Sequence, residues 1–143
     1  MYAAKQVARY IINKCSVEGV PVNNLKLQAL LYFVWIEYRK HAHARLFHDK
    51  IFAWQFGPVV PEVYRDYCAY GGMDIDIRYS SDEIGITGEG VVVLDAALDK
   101  YRDYSVSRLV GMARAKGKPW YQVYGKQGGV NEEIPFSLIE QME

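Results

Sequence analysis

Apolar residues in the first fifteen positions recur three or four residues apart. On a helix they would line one stripe: Val7, Ala8, Ile11, Ile12 and Cys15. This spacing predicts a first helix over Tyr2–Cys15, and Gly19 and Pro21 then break the pattern. We predict that Asn23 or Asn24 caps the helix that follows, because either side chain can accept a hydrogen bond from a free backbone N–H.

The run from Leu25 to about His43 is apolar on nearly every face of a helix. Its apolar positions are Leu25, Leu27, Ala29, Leu30, Leu31, Tyr32, Phe33, Val34, Ile36 and Tyr38. A helix of this kind is buried on several sides, so we expect it to be the central helix of the domain. Arg39, Lys40 and His41 suit the negative end of the helix dipole and indicate that the helix emerges into solvent there.

The middle of the chain changes to shorter patterns. The run Ile51–Phe56 is apolar and aromatic, and it predicts a strand followed by a turn at Gly57–Pro58. Pro61 is well suited to the first position of a new helix. Gly71–Gly72 should end that helix.

Alternation of polar and apolar residues over Asp74–Tyr79 predicts a half-buried strand. A further short strand is expected at Ile84–Ile86. Helical spacing returns over Val92–Tyr104. Ser105 or Ser107 should cap the helix after that.

The last part of the chain predicts two short helical pieces. Gly117 and Pro119 interrupt the preceding helix, and Trp120–Tyr124 should form one or two helical turns. Ser137 is expected to cap a final helix over Leu138–Met142. About six helices and two or three short strands predict an α+β fold that is mainly α, a compact helical domain around a buried central helix.

The composition excludes several classes of protein. The charges balance, with 17 lysines and arginines against 17 aspartates and glutamates, so no overall field attracts nucleic acid or anionic lipid. No stretch approaches the roughly 18 apolar residues of a membrane span, and residues 1–12 contain no leader pattern. We expect a cytoplasmic protein without membrane contact. Cys15 and Cys68 are interpreted as reduced thiols in the core.

The sequence contains no common motif for a nucleophile, a phosphate loop or a dinucleotide site. His41, His43 and His48 are close in sequence and raise the question of a metal. On a helix, however, residues two apart point about 200° from each other, because each residue turns about 100°. A solvated cluster is the simpler interpretation, and we expect no metal, no cofactor and no catalytic residue.

Three segments together resemble one known family. They are Asn24–Phe33 (NLKLQALLYF), Phe52–Tyr64 (FAWQFGPVVPEVY) and Pro119–Trp120. Their order and spacing resemble the Panacea domain, also called the SocA-like antitoxin domain or the phage-associated GepA-type domain. The likeness covers nearly the whole chain, and the combination of the first two segments is specific.

The resemblance implies a bacterial or phage protein with a single, mainly helical domain over residues 1–143. Members of the family are typically antitoxins that neutralise a cognate toxin by direct contact. Two stretches depart from the family pattern. Ala113–Lys118 replaces the usual Thr-His before Pro119–Trp120, and His41–Arg45 follows the central helix where relatives tend to have glycine and proline.

The leading hypothesis is therefore a non-catalytic antitoxin that binds a cognate protein toxin. The aromatic turn and the helix after it are expected to present the partner-binding residues, since aromatic anchors carry most of the energy of protein interfaces. The expected contact residues are Lys26, Trp54, Phe56, Tyr64, Arg65, Tyr67 and Trp120.

Other functions stay open on the sequence alone. The chain could be a phage or prophage inhibitor or adaptor that binds a host protein. A hydrolase that uses His48 would need an acidic or nucleophilic partner that the sequence does not identify. DNA binding would need a helix-turn-helix that is not evident, and the neutral charge argues against it.

Overall fold

The structure, a computed structural model, describes residues 1–125, 128 and 131–143. In this part of the chain the elements follow one another as α1 Ala4–Val17, α2 Asn24–Ala42, β1 Ile51–Trp54, β2 Gly57–Val59, α3 Pro61–Tyr64, a 3₁₀ helix Arg65–Tyr70, α4 Ser81–Ile84, α5 Glu89–Tyr101, α6 Val106–Ala113, a π-helical turn Tyr121–Gly125, β3 Glu133–Ile134 and α7 Phe136–Met142. The predicted α+β class, mainly α with a few short strands, is confirmed.

Helix α2 is the centre of the molecule. Thirteen of its nineteen residues are buried, and helices α1, α5, α6 and α7 all pack against it. Asn23 caps its first turn, because its side chain accepts a hydrogen bond of 2.8 Å from the Lys26 N–H. The helix ends at Ala42, and the C-cap residue His43 adopts the left-handed conformation with φ of 54°. The predictions of a central buried helix and of its cap are confirmed.

The three strands form one antiparallel sheet in the order β2-β1-β3. Trp54 pairs with Gly57, so the hairpin turn is Gln55–Phe56 and not Gly57–Pro58 as the sequence predicts. Pro58 instead lies in the edge strand β2, where a residue without an N–H is tolerated. Gly57 follows the turn with φ of 126°, a conformation that residues with a side chain rarely adopt.

The strand predicted over Asp74–Tyr79 is wrong. The backbone groups of this segment form hydrogen bonds with partners that are not in a strand. The Ile75 N–H donates to the Val22 carbonyl at 2.8 Å. The Asn13 side chain accepts from the Tyr79 N–H at 3.0 Å and donates to the Tyr79 carbonyl at 2.7 Å. The segment therefore belongs to no sheet.

The short strand predicted at Ile84–Ile86 is also wrong. Ser80 and Glu83 form a reciprocal capping box, with hydrogen bonds of 2.9 and 3.2 Å, which begins the one-turn helix α4 instead. The predicted cap Ser137 is wrong as well. Helix α7 starts two residues earlier, at Phe136, and the Pro135 carbonyl accepts from the Leu138 N–H at 3.0 Å.

The two cysteines lie in different environments. Cys15 is fully buried, as predicted, and burial raises the pKa of its thiol to about 11. Cys68 is exposed, so its interpretation as a core thiol is wrong. It lies on the outer side of the 3₁₀ helix, where its Sγ donates to the Tyr64 carbonyl at 3.2 Å.

Among the described residues, no helix is both long enough and apolar enough to cross a membrane.

Candidate partner-binding surface

In the hairpin formed by β1 and β2, one set of aromatic side chains faces away from the core. Strand β1 buries Ile51 and Ala53, whereas Phe52 and Trp54 are half-buried on its other face. The Trp54 ring meets the ring of Tyr64, from α3, edge to face at a centroid distance of 5.1 Å. The two elements thereby join into one surface.

Phe56 in the hairpin turn is the most exposed aromatic side chain of this region, with 58% of its surface accessible. Arg65 is also exposed, and its guanidinium lies 3.3 Å from the Glu62 carboxylate, one turn earlier. An exposed ion pair of this kind contributes little to stability. We call the residues Phe52, Trp54, Phe56, Tyr64 and Arg65 the hairpin surface.

A groove of about 760 Å³ runs along the hairpin surface. Its apolar lining is Phe52, Trp54 and Pro61. Its polar lining carries both signs of charge and consists of His48, Asp49, Lys50, Glu62, Arg65 and Asn131. Aromatic lining within a polar rim is the usual anatomy of a protein-binding surface.

A buried chain of side-chain amides holds the surface in position. The Val60 N–H donates to Gln28 Oε1 at 2.9 Å, and Gln28 Nε2 donates to Asn24 Oδ1 at 3.1 Å. Asn24 Nδ2 in turn donates to the Tyr64 carbonyl at 3.1 Å. The first turns of α2 therefore satisfy backbone groups on both sides of Pro61, where the strand changes to helix α3.

Trp120 supports the hairpin from the other side. Its ring N–H donates to the Trp54 carbonyl at 2.7 Å, and its ring stacks on Tyr124 at 4.7 Å. The guanidinium of Arg114 lies 4.7 Å from the centre of the Trp120 ring. All three segments that carry the family resemblance are thus connected through the hairpin and α3.

Four of the seven predicted contact residues are exposed or half-buried. Trp54 and Arg65 line the groove, Tyr64 packs on Trp54, and Phe56 is exposed in the turn. Lys26, Tyr67 and Trp120 are buried, with 7%, 3% and 3% of their surface accessible. The Tyr67 hydroxyl lies 2.8 Å from that of Tyr79, and burial raises the pKa of Tyr67. These three residues lie beneath the protein surface.

Phe52, Gln28 and Asn24 belong to this region but were not among the predicted contact residues. The sequence did indicate Phe52, because this residue alternates along its strand with the positions that are buried. Gln28 and Asn24 had a weaker signal, namely amides at the start of a run that is mostly apolar. Their partners lie more than thirty residues away, and sequence spacing does not identify such pairs.

These observations define the class of the protein: a small, mainly helical α+β fold with an aromatic surface whose backbone is hydrogen-bonded to buried side chains. The family model of the SocA-like antitoxins, the Panacea domain, matches residues 27–121. The chain therefore belongs to the SocA-like antitoxin family, which confirms the resemblance seen in the sequence. Antitoxin SocA of Caulobacter vibrioides (strain NA1000 / CB15N) is 32% identical over 136 aligned residues, which cover 82% of this chain and 68% of that protein. No solved structure matches the chain.

Proposed function

We propose that this protein is an antitoxin that neutralises a cognate toxin by binding it directly, without catalysis, through the hairpin surface. Membership of the SocA-like antitoxin family supports the antitoxin role. Two observations carry the choice of surface. The Phe56 ring is exposed in the turn that directly follows Trp54, and the Trp54 ring packs on Tyr64. The partner is a protein toxin.

The physical basis is the burial of these rings against the toxin. A specific complex buries about 1,200–2,000 Å² in total, and a few aromatic and arginine side chains carry most of the binding energy. Gln28 and Trp120 already hold the backbone of the hairpin and of α3, so little conformational entropy is lost when the toxin binds. Neutralisation is then stoichiometric, with one antitoxin surface covering the active surface of one toxin.

Lys26, Tyr67 and Trp120 have an indirect role in this proposal. Trp120 supports the hairpin surface through its hydrogen bond to the Trp54 carbonyl. Lys26 and Tyr67 are buried, so neither they nor Trp120 is a contact residue for the toxin in this proposal. We further propose that residues 1–143 act as one domain. The packing of α7 on α2 supports this, since it connects the end of the described chain to the central helix.

The test is co-expression with the reading frame next to this gene, scored by rescue of growth and by isolation of the complex. Phe56→Ser removes the exposed ring and should abolish rescue and weaken the complex at least about tenfold, as expected for a hot-spot ring. Met73→Ser is the matched control, because Met73 is 74% exposed and lies outside the hairpin surface. It should rescue growth fully.

Three results would contradict the proposal. Equal rescue by both variants would remove the hairpin surface from the mechanism. Rescue without a complex would remove direct binding. A complex formed with a host protein and not with the neighbouring gene product would favour the alternative of a phage inhibitor or adaptor.

A further inference from the structure

The charges of this neutral chain are not evenly distributed along it. Residues 105–125 contain two arginines, two lysines and no aspartate or glutamate, so the rest of the chain carries 13 lysines and arginines against 17 carboxylates. We call the four cations Arg108, Arg114, Lys116 and Lys118 the basic segment. Three of them are exposed, and Lys118 is half-buried. The neutral total is therefore compatible with a locally positive surface.

The exposed cations of the basic segment are not neutralised by the part of the chain that the structure describes. Within residues 1–125, 128 and 131–143, only Lys118 of the four forms an ion pair, with its Nζ 3.1 Å from a carboxylate oxygen of Glu143. In the same part of the chain no carboxylate lies within 4.0 Å of the charged nitrogens of Arg108, Arg114 or Lys116. These three side chains can therefore pair with carboxylates of another molecule.

Two aromatic rings hold the arginines of the basic segment in place. The guanidinium carbon of Arg108 lies 3.7 Å from the centre of the Tyr104 ring, and that of Arg114 lies 4.7 Å from the centre of the Trp120 ring. A guanidinium that lies over a ring still has N–H groups along its edge for a carboxylate. Because the two side chains are already ordered, less conformational entropy is lost when they bind one.

The basic segment lies beside the hairpin. Helix α6, which carries Arg108, packs against the edge strand β2. Trp120, over which Arg114 lies, donates its ring N–H to the carbonyl of Trp54, the residue directly before the turn that exposes Phe56. One side of a standard protein interface covers ~800 Å² and is roughly 30 Å across. An interface centred on the hairpin turn is therefore wide enough to include Arg114.

We propose that the toxin presents acidic side chains to the basic segment, so that carboxylates pair with Arg114 and Lys116 while the hairpin surface buries its aromatic rings. The inference rests on the proposed function, because it names the chemistry of the partner at the same interface. Complementary charge beside an aromatic centre speeds association and disfavours partners of the wrong sign. Arg108 extends the positive surface along α6.

An acidic protein surface suits the basic segment better than a nucleic acid does. Sequence-independent affinity for nucleic acid grows with the number of phosphates that are neutralised, and substantial affinity takes about 6–10 such contacts. The basic segment offers three cations that are unpaired among the described residues, and the fourth already holds the carboxylate of Glu143. A few carboxylates on a folded protein match so small a number of cations.

The experiment measures the association and dissociation rates of the full chain with the purified product of the neighbouring reading frame, at about 50, about 150 and about 300 mM salt. Lys116→Glu and Arg114→Glu should each lower the association rate at least about fivefold at the lowest salt, and the loss should shrink as salt rises. Arg114→Lys keeps the charge and should stay within about twofold of wild type. Arg78→Glu is the matched control, since it makes the same change of charge at an exposed residue outside the basic segment, and it should also stay within about twofold.

The results distinguish failure of this inference from failure of the proposed function. If Phe56→Ser weakens the complex but Arg114→Glu and Lys116→Glu behave like Arg78→Glu, the acidic partner is excluded and the proposed function stands. If the wild-type chain and the neighbouring product form no complex, both are overturned. Losses that do not change with salt would mean that the two positions act through packing and not through charge, which also overturns the inference.

A single-stranded thymidine oligonucleotide is the comparison probe, followed by fluorescence anisotropy. It should bind at least about a hundredfold more weakly than the neighbouring product. Equal affinity, with the same loss for Lys116→Glu, would assign the basic segment to nucleic acid instead. Thermal unfolding followed by circular dichroism checks that each variant is folded, and Lys116→Glu decides alone if Arg114→Glu is not.

Discussion

At the scale of single residues, Gln28 connects two parts of the chain that are distant in sequence. It is one of the few buried polar residues of α2, and its amide serves both the Val60 N–H and Asn24. A buried N–H without a partner costs about 1–3 kcal/mol. The amide is therefore a requirement of the fold at this position, in a helix whose buried residues are mostly apolar.

Gln28→Ala should lower the free energy of unfolding by about 2–3 kcal/mol, because it leaves the Val60 N–H unpaired and opens a small cavity. Urea unfolding followed by circular dichroism measures the change. Gln55→Ala is the matched control, since Gln55 is exposed in the hairpin turn and its loss should change stability by less than about 0.5 kcal/mol. Similar values for the two variants would show that the Gln28 hydrogen bonds contribute nothing.

At the scale of elements, α7 is held against α2 by ion pairs as well as by packing. Glu140 pairs with Arg39 and Arg45, and the Phe136 ring stacks on Trp35 at 4.9 Å. The hydrogen bonds from Arg45 and then Arg39 lower the pKa of Glu140 from 4.5 to about 2. The carboxylate therefore stays ionised in the folded protein at pH values where it would be half protonated in the unfolded chain.

This pKa predicts how the stability of α7 docking depends on pH. A lowered folded pKa contributes stability that is complete above about pH 5 and is lost as the pH falls towards 2. Glu140→Gln should cost about 1 kcal/mol near pH 7, a value that allows for partial exposure, and the difference from wild type should vanish near pH 2. Urea unfolding at several pH values measures it.

Glu62→Gln is the control for the same chemical change in an exposed ion pair. It should shift stability by less than about 0.5 kcal/mol at every pH. A cost for Glu140→Gln that did not change with pH would mean that the ion pairs do not provide the stabilisation.

Elements defined by local signals could be predicted from the sequence, and those defined by distant partners could not. The long apolar run and Asn23 were sufficient for α2. Strand β3 exists because Ile134 pairs with Ile51, more than eighty residues earlier, and nothing local predicts it. Asp74–Tyr79 alternates like a strand, yet Asn13 takes the backbone groups that a neighbouring strand would need.

The candidate site could be predicted in part for the same reason. The aromatic stretch around Trp54 is unusual in composition, so sequence alone pointed to this region. Exposure depends on packing with distant elements, and the sequence therefore did not distinguish exposed Phe56 from buried Tyr67 and Trp120. The hairpin turn was misplaced because Gly57–Pro58 is typical of a turn but also fits an edge strand after one.

At the scale of the whole molecule, the hairpin surface is connected to both ends of the fold. The N-terminal turns of α2 reach it through Asn24 and Gln28, and the segment after α6 reaches it through Trp120. Contacts between elements so distant in sequence must all form for the surface to exist. The surface should therefore be lost when the fold unfolds and not before.

Trp120→Phe keeps an aromatic ring but removes the donor to the Trp54 carbonyl and part of the buried indole, and should cost about 1–3 kcal/mol of stability. Amides of the β1–β2 hairpin should then exchange with solvent faster. Native-state hydrogen exchange measures this. Trp35→Phe is the control, because it removes an equivalent ring N–H that donates to the Phe47 carbonyl at 3.2 Å. It should accelerate exchange in the hairpin only as much as its effect on global stability accounts for. Equal acceleration in both variants would contradict a local role for Trp120.

The different environments of the two cysteines have a practical consequence. Thiolates react with maleimides far faster than thiols do. Cys15 is protected for two reasons: the reagent cannot reach it because it is buried, and its raised pKa keeps the thiol protonated. Cys68 is open to reagent and lies four residues after Tyr64. A fluorophore attached to the unaltered sequence therefore reports from the edge of the hairpin surface, which gives a direct optical readout of whatever protein binds there.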